Sequence, residues 1–172
     1  MFDGDRPTGR KPDIYRELAL MAEGLFAGER DAIANAANLS ALLWMGLDRL
    51  NWAGFYFKRG PRVGGAAVPE DVLVLGPFQG RPACVRIEIG KSVCGTAAAR
   101  RQTVIVPDVD DFPGHIACDA ASRSELVVPL IAAGTLLGVL DLDSPERARF
   151  DAEDAKGIEA LAALWASASD SL

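Results

Sequence analysis

The segment Asp111-Phe-Pro-Gly-His-Ile-Ala-Cys118-Asp-Ala-Ala-Ser-Arg-Ser-Glu125 concentrates reactive groups: a cysteine, the only histidine of the chain, a Pro-Gly turn, and carboxylates on both sides. A plain connector has little use for such chemistry, and loops on a rigid scaffold are where catalytic groups tend to lie. His115 could act as a base or as a hydrogen-bonding brace for the loop. Cys118 could attack an electrophile as its thiolate, with Cys84 or Cys94 available to resolve the product as a disulfide. Cys84 follows Arg81-Pro82-Ala83 at the expected edge of a strand. Cys94 falls at the start of an expected helix, where the dipole favours a thiolate. On these features alone either Cys94 or Cys118 could be the nucleophile. The inert alternative, a cysteine packed as a small apolar residue, applies to each.

A second set of reactive groups is acidic. Side chains alternate along a strand, so Asp141 and Asp143 in Leu136–Ser144 share a face. Glu125, heading the preceding strand, joins them if the two strands pair as a hairpin. Three carboxylates in one pocket cannot all ionise freely, and at least one should stay protonated near neutral pH. For Asp143 alone an Asx turn through Ser144-Pro145 is the simpler reading; the trio favours a site. Trp52 and Tyr56, with Gly54 between them, lie on one strand face and could wall a small apolar pocket, or pack as core.

These groups need a scaffold. The 172 residues, 49% apolar and 24% charged, suit one soluble domain with a real core. Helical periodicity places apolar Tyr15, Leu18, Ala22 and Leu25 on a first helix and extends a second over Asp31–Leu47. Short β-rich runs follow at Trp52–Phe57, Val72–Leu75, Val85–Ile89, Val104–Val106, Glu125–Leu130 and Leu136–Ser144, with a helix from Ser92 to Arg101. The first two strands should form an antiparallel hairpin with a long, Gly-rich, mobile tip (59–70). Gly76-Pro-Phe-Gln-Gly80 reads as a turn, and the Cys118 loop should fold back on the sheet. A last helix starts at Phe150-Asp151 and carries the stripe Ile158, Leu161, Ala162 and Trp165. The expectation is an α+β domain over 12–172, about six mostly antiparallel strands with N- and C-terminal helices on one face, after a flexible segment 1–11.

Composition removes several function classes. A net charge of −6 with dispersed Lys and Arg argues against nucleic acid as partner. No apolar run reaches the ~20 residues of a membrane span, and the start lacks the pattern of a secretory signal, so the chain reads as cytoplasmic. Three cysteines without paired spacing, and one histidine, make neither a disulfide scaffold nor a zinc site.

Asn51-Trp-Ala-Gly-Phe-Tyr56, Leu75-Gly-Pro-Phe-Gln-Gly80, Pro82-Ala-Cys-Val-Arg-Ile87, Val93-Cys-Gly-Thr-Ala97, Gly114-His-Ile-Ala-Cys-Asp-Ala-Ala-Ser122 and Gly138-Val-Leu-Asp-Leu-Asp-Ser-Pro145 resemble, in order, blocks of the free methionine-(R)-sulfoxide reductases, single-domain GAF proteins. The resemblance implies Cys118 as nucleophile, Cys84 as the main resolving thiol and Cys94 as a second or auxiliary one. It implies that Glu125, Asp141 and Asp143 line the substrate site and that Trp52 and Tyr56 enclose the methyl-sulfoxide end. It further implies thioredoxin as external reductant, no resident metal or organic cofactor, and a homodimer. The rival reading is a non-catalytic GAF sensor of a small ligand or of redox state.

Overall fold

The computed structural model describes residues 5–59, 62–63, 66–67, 71–113 and 120–170. Helix α1 (Lys11–Phe26) begins where Pro12 suits the first turn, and buries Tyr15, Leu18, Ala22 and Phe26. Helix α2 (Ala32–Gly46) is capped by Asp31, whose carboxylate accepts from the N–H groups of Ile33 and Ala34. The last helix, α4 (Ala152–Ala168), starts with a capping box between Asp151 and Asp154. It buries the expected stripe of Ile158, Leu161, Ala162 and Trp165. Residues 1–4, part of the segment expected to be flexible, lie outside the described residues.

The central sheet has six strands: β1 (Trp52–Lys58), β4 (Val72–Gly80), β5 (Arg86–Glu88), β6 (Val104–Val106), β7 (Ser124–Ala132) and β8 (Thr135–Ser144). Their order is β5-β4-β1-β8-β7-β6, and every neighbouring pair is antiparallel. Two-residue strands β2 (Arg62–Val63) and β3 (Ala66–Ala67) pair with each other within the β1–β4 connection. The rest of that tip, expected to be mobile, lies outside the described residues, and so does the Cys118 segment 114–119.

Alternation divides the sheet cleanly. Ala53, Phe55, Phe57, Leu126, Val128, Leu130, Leu140 and Leu142 join the apolar faces of α1, α2 and α4 in one core. The intervening residues Trp52, Tyr56, Val127 and Val139 face the other way, under helix α3 (Ser92–Arg100). The N- and C-terminal helices thus share one face, as expected, while the short α3 takes the opposite one. That second face carries the polar chemistry.

Under α1 and α4, Asp154 is fully buried and accepts from Tyr15 Oη (2.8 Å), Arg149 Nη1 (3.1 Å), Lys11 Nζ (2.5 Å) and the Asp151 N–H (2.9 Å). A buried carboxylate is tolerated only with such company. The ring satisfies itself and leaves nothing for chemistry.

One expectation fails. Gly76–Gly80 is not a turn but the second half of β4. Between the pairs Gly54↔Phe78 and Tyr56↔Leu75 the register shifts, so Phe55 alone faces Gly76 and Pro77. This is a bulge, which absorbs a proline that has no N–H to give the ladder. A β-carbon on Gly76 would lie 2.6 Å from the Phe57 ring, so the strand can pass there only without one. The turn-forming residues are there for the bulge, and they extend β4 far enough to bring Phe78 beside Trp52.

Candidate active site

The β7–β8 hairpin closes through Ala133 and Gly134, both at positive φ, which sets a register placing Glu125 opposite Asp143 and Val127 opposite Asp141. On the other side of β8, Trp52 faces Asp143 and Gly54 faces Asp141. Three adjacent strands therefore bring Glu125, Asp141, Asp143, Trp52 and Tyr56 to one spot below α3. They line a cavity of about 100 Å³ with Cys84, Cys94, Pro82, Ala83, Arg86, Ile87, Ser92 and Ser122.

Its aromatic wall is ordered by stacking. The Trp52 ring lies between Tyr56 (centroids 5.7 Å apart) and Phe78 (5.3 Å), both nearly parallel to it. Gly54 makes room for this stack: a β-carbon there would run into Phe78 and the tip of the Trp52 ring. Asn51 Nδ2 donates to the buried Ser122 Oγ at 2.9 Å, tying the chain after the 114–119 segment to the start of β1.

The acidic wall is the unusual part. Glu125 is 7% exposed and Asp141 5%. Burial raises both carboxyls, Asp141 to about 7. The charges of Asp141 and Asp143, and a hydrogen bond shared with Asp141, push Glu125 well above its ordinary range. Asp141 is pulled part of the way back by hydrogen bonds with Cys94, with Glu125 and from the Leu142 N–H. The two titrate together, so near neutral pH the pair retains a proton between them. The wall is an acid beside a carboxylate, with Asp143 half-buried at its rim.

The thiols fall in different states. Cys84, half-buried on the cavity wall, is disulfide-bonded. Cys94 is a buried free thiol whose Sγ donates to Glu125 Oε1 at 3.9 Å. The expectation of a dipole-stabilised thiolate at Cys94 is overturned. Burial first, then the negative charges of Asp141 and Glu125, hold the thiol well above its ordinary value. Its helix position offers only a partial charge against full desolvation and two acids. Cys118, with His115 and Asp119, lies outside the described residues.

Cys94, Glu125 and Asp141 each offer one ligand atom within 4.8 Å of the others, the arrangement in which a metal ion could be held. Each ligand would have to release a proton to serve, and burial opposes that at all three.

Residue types and spacing gave no indication of Ser92 or Arg86 as members of the cavity, nor of Phe78 as the ring that stacks behind Trp52. Phe78 was hidden by reading its segment as a turn. Ser92 offered a weak signal only, as the residue opening α3.

The GAF domain family model matches residues 22–168. Free methionine-R-sulfoxide reductase of Escherichia coli is 48% identical over 153 residues, 89% of this chain and 87% of that protein. The structure of free methionine-R-sulfoxide reductase from Neisseria meningitidis in complex with its substrate superposes with a TM-score of 0.88, at 42% identity over 98% of this chain and 95% of that one. A protein from Burkholderia vietnamiensis named as a GAF sensor superposes with a TM-score of 0.85 at 58% identity, covering 94% and 96% of the two chains. The chain belongs to the GAF domain family and, within it, to the free methionine-R-sulfoxide reductases. Among the described residues no helix is long and apolar enough to cross a membrane.

Proposed function

We propose that the protein reduces free L-methionine-(R)-sulfoxide to L-methionine with thiol electrons. The observation that carries this is the buried Glu125–Asp141 pair in a small cavity that also holds the disulfide-bonded Cys84. A sulfoxide sulfur is a poor electrophile until its oxygen is protonated or strongly hydrogen-bonded. Glu125, kept neutral by its neighbours, is an acid suited to that task.

Cys118 attacks the activated sulfoxide as its thiolate. The sulfoxide sulfur gains two electrons and leaves as methionine, and the oxygen stays on Cys118 as sulfenic acid. Cys84 condenses with the sulfenic acid, releasing water and forming a disulfide. Thioredoxin, a dithiol, resets it by exchange. The bonded state of Cys84 and the free, protonated state of Cys94 support Cys84 as the resolving thiol and leave Cys94 auxiliary. None of these steps uses a metal or organic cofactor. Reduction by thioredoxin suits a cytoplasmic protein, and the family resemblance implies a homodimer.

Negative charge also selects the substrate. Asp141 and Asp143, where ionised, pair with the ammonium of a free amino acid. A sulfoxide inside a polypeptide has no such cation and would leave buried charge unpaired. The test is turnover with thioredoxin on R and S sulfoxides, each free and in a peptide, beside a thiol count. Turnover of the free R form alone, with loss of about two thiols per chain in one turnover, is the expected result. Comparable rates on an internal peptide sulfoxide would defeat the specificity argument. Ligand binding without thiol loss would favour the sensor reading, which the name of the B. vietnamiensis relative keeps open.

A further inference from the structure

The proposed cycle ends in a disulfide that a second protein must open. Cys84 is disulfide-bonded and half-buried on the cavity wall. The cavity, about 100 Å³, is too small to admit a loop of another protein, so a protein reductant has to reach the sulfur from the outer surface. That surface carries an apolar side chain. Val85, the next residue, is 59% exposed and stands just ahead of β5, an edge strand of the sheet. Its carbonyl accepts from the Leu75 N–H at 3.0 Å, which ties the segment to β4 and holds Val85 in place.

The other large apolar side chains left exposed among the described residues lie elsewhere. Leu20, Ile33, Trp44 and Met45 belong to α1 and α2, which cover the sheet face away from the cavity. Ile131 stands at the opposite end of β7 from Glu125. Among them only Val85 adjoins a sulfur of the redox cycle. Arg86 follows it, exposed, and pairs with no carboxylate among the described residues. In a chain of net charge −6, such a cation is a local attraction for an acidic surface.

Exchange chemistry also distinguishes the two sulfurs. It runs faster when the departing thiol is the more acidic one. Cys118 is the thiol that works as a thiolate in the proposed cycle, so it is the better leaving group and Cys84 the sulfur to attack.

We propose that Val85, with Arg86 beside it, is the docking surface for thioredoxin, a dithiol protein met here through an apolar, acid-bearing face, and that its thiolate attacks Cys84 Sγ. The new bond joins the sulfur of thioredoxin to Cys84, and Cys118 departs as a thiolate. The second thiol of thioredoxin then attacks its own sulfur in the mixed disulfide and releases Cys84. The disulfide of this chain gains two electrons and two protons, and thioredoxin leaves as a disulfide. This rests on the reading of the protein as a reductase recycled by thioredoxin.

The experiment measures turnover of free L-methionine-(R)-sulfoxide with two reductants: thioredoxin, and dithiothreitol, which has no surface to dock. Wild type is compared with Val85→Ser, Val85→Asp and, as a control, Leu20→Asp at an exposed apolar position on α1. Both Val85 variants should lower kcat/KM for thioredoxin roughly tenfold or more, the scale of a side chain of that size losing its burial. Turnover with dithiothreitol should be unchanged, and Leu20→Asp should match the wild type with both. Wild-type kcat/KM for thioredoxin should also fall severalfold from low salt to about 0.3 M, as screening removes the pull of Arg86. A thioredoxin whose second cysteine is serine should accumulate as a mixed disulfide on Cys84, located by mass spectrometry after the freed thiol is alkylated. Equal losses with both reductants, wild-type thioredoxin kinetics in Val85→Asp, or the same thioredoxin-specific loss in Leu20→Asp would overturn the assignment. So would salt-independent thioredoxin kinetics or a mixed disulfide on Cys118. A wild type inactive on the free R sulfoxide even with dithiothreitol would instead sink the proposed function, and the docking surface with it.

Discussion

Replacing Asp141 by asparagine should make the protein more stable and less active at the same time. In the folded chain the Asp141 carboxyl is held at about 7 by burial, against an ordinary value of 3.8. Between those values the folded state keeps a proton that the unfolded state has released. Stability must therefore fall as pH rises through this window. The cost is nil below about pH 4 and complete above about pH 7, where the difference amounts to about 4 kcal/mol. Asparagine is nearly isosteric, carries no charge and cannot titrate. Removing the Asp141 charge also removes one of the causes that raise Glu125, which adds to the gain. Relaxation around a coupled pair will reduce it, so a gain of about 2–4 kcal/mol at pH 8 is expected, on the order of 10 °C in Tm for a chain of this size.

The assay is urea unfolding of wild type and Asp141→Asn without reductant, at several pH values from 4.5 to 8. The stability gap between the two proteins should open as pH rises. Titrations elsewhere cancel in the comparison, so the pH dependence of the gap reports on this cluster. Turnover of the free sulfoxide should fall by roughly 100-fold or more, as when a positioned acid or base is lost. A gap that is equal at all pH values, or a wild type more stable at pH 8, would refute the claim that these carboxylates are held together against their own charge.

Two further outcomes follow from the same wall. With the disulfide intact, Cys94 should resist alkylation by iodoacetamide at pH 8 and react only once urea unfolds the chain, since burial and two acids keep its thiol protonated; rapid labelling of the native protein at Cys94 would contradict this. Gly95 lets α3 press against β5, because a β-carbon there would strike the Glu88 carbonyl and lie 3.1 Å from the Gly90 N–H. Gly95→Ala should displace Ser92 and Cys94 and lower kcat/KM by roughly 100-fold, the scale of an ångström's misplacement at a reacting centre; wild-type kinetics would show that the contact is slack.

Several of these features could be read from the chain, and the ones that could not share a physical reason. Two-residue alternation alone puts Asp141 and Asp143 on one face of β8, and a tight β7–β8 connection brings Glu125 to them. Those are facts of one hairpin, and local rules reach them. What turns the cluster into a site comes from farther away. β1 inserts between β4 and β8 in the strand order, so Trp52 and Gly54 meet Asp143 and Asp141, residues far away along the chain. No pattern within either segment encodes that pairing. Cys94 fails as a local prediction for the same reason. Its place on α3 argues for a thiolate, while the groups that decide its protonation sit on β7 and β8. Gly76–Gly80 has the composition of a turn and becomes a strand because the bulge opposite Phe55 absorbs it. Ser92 looks like an ordinary helix opener, and neither its left-handed φ nor its idle hydroxyl exists before α3 is laid over the sheet. A carboxyl costs little on an isolated strand in water. It becomes an acid near neutrality only when the third strand and the covering helix remove the solvent. The chemistry here is thus a property of assembly, and variants that loosen α3 should return Glu125 and Asp141 toward ordinary carboxylates before they unfold the domain.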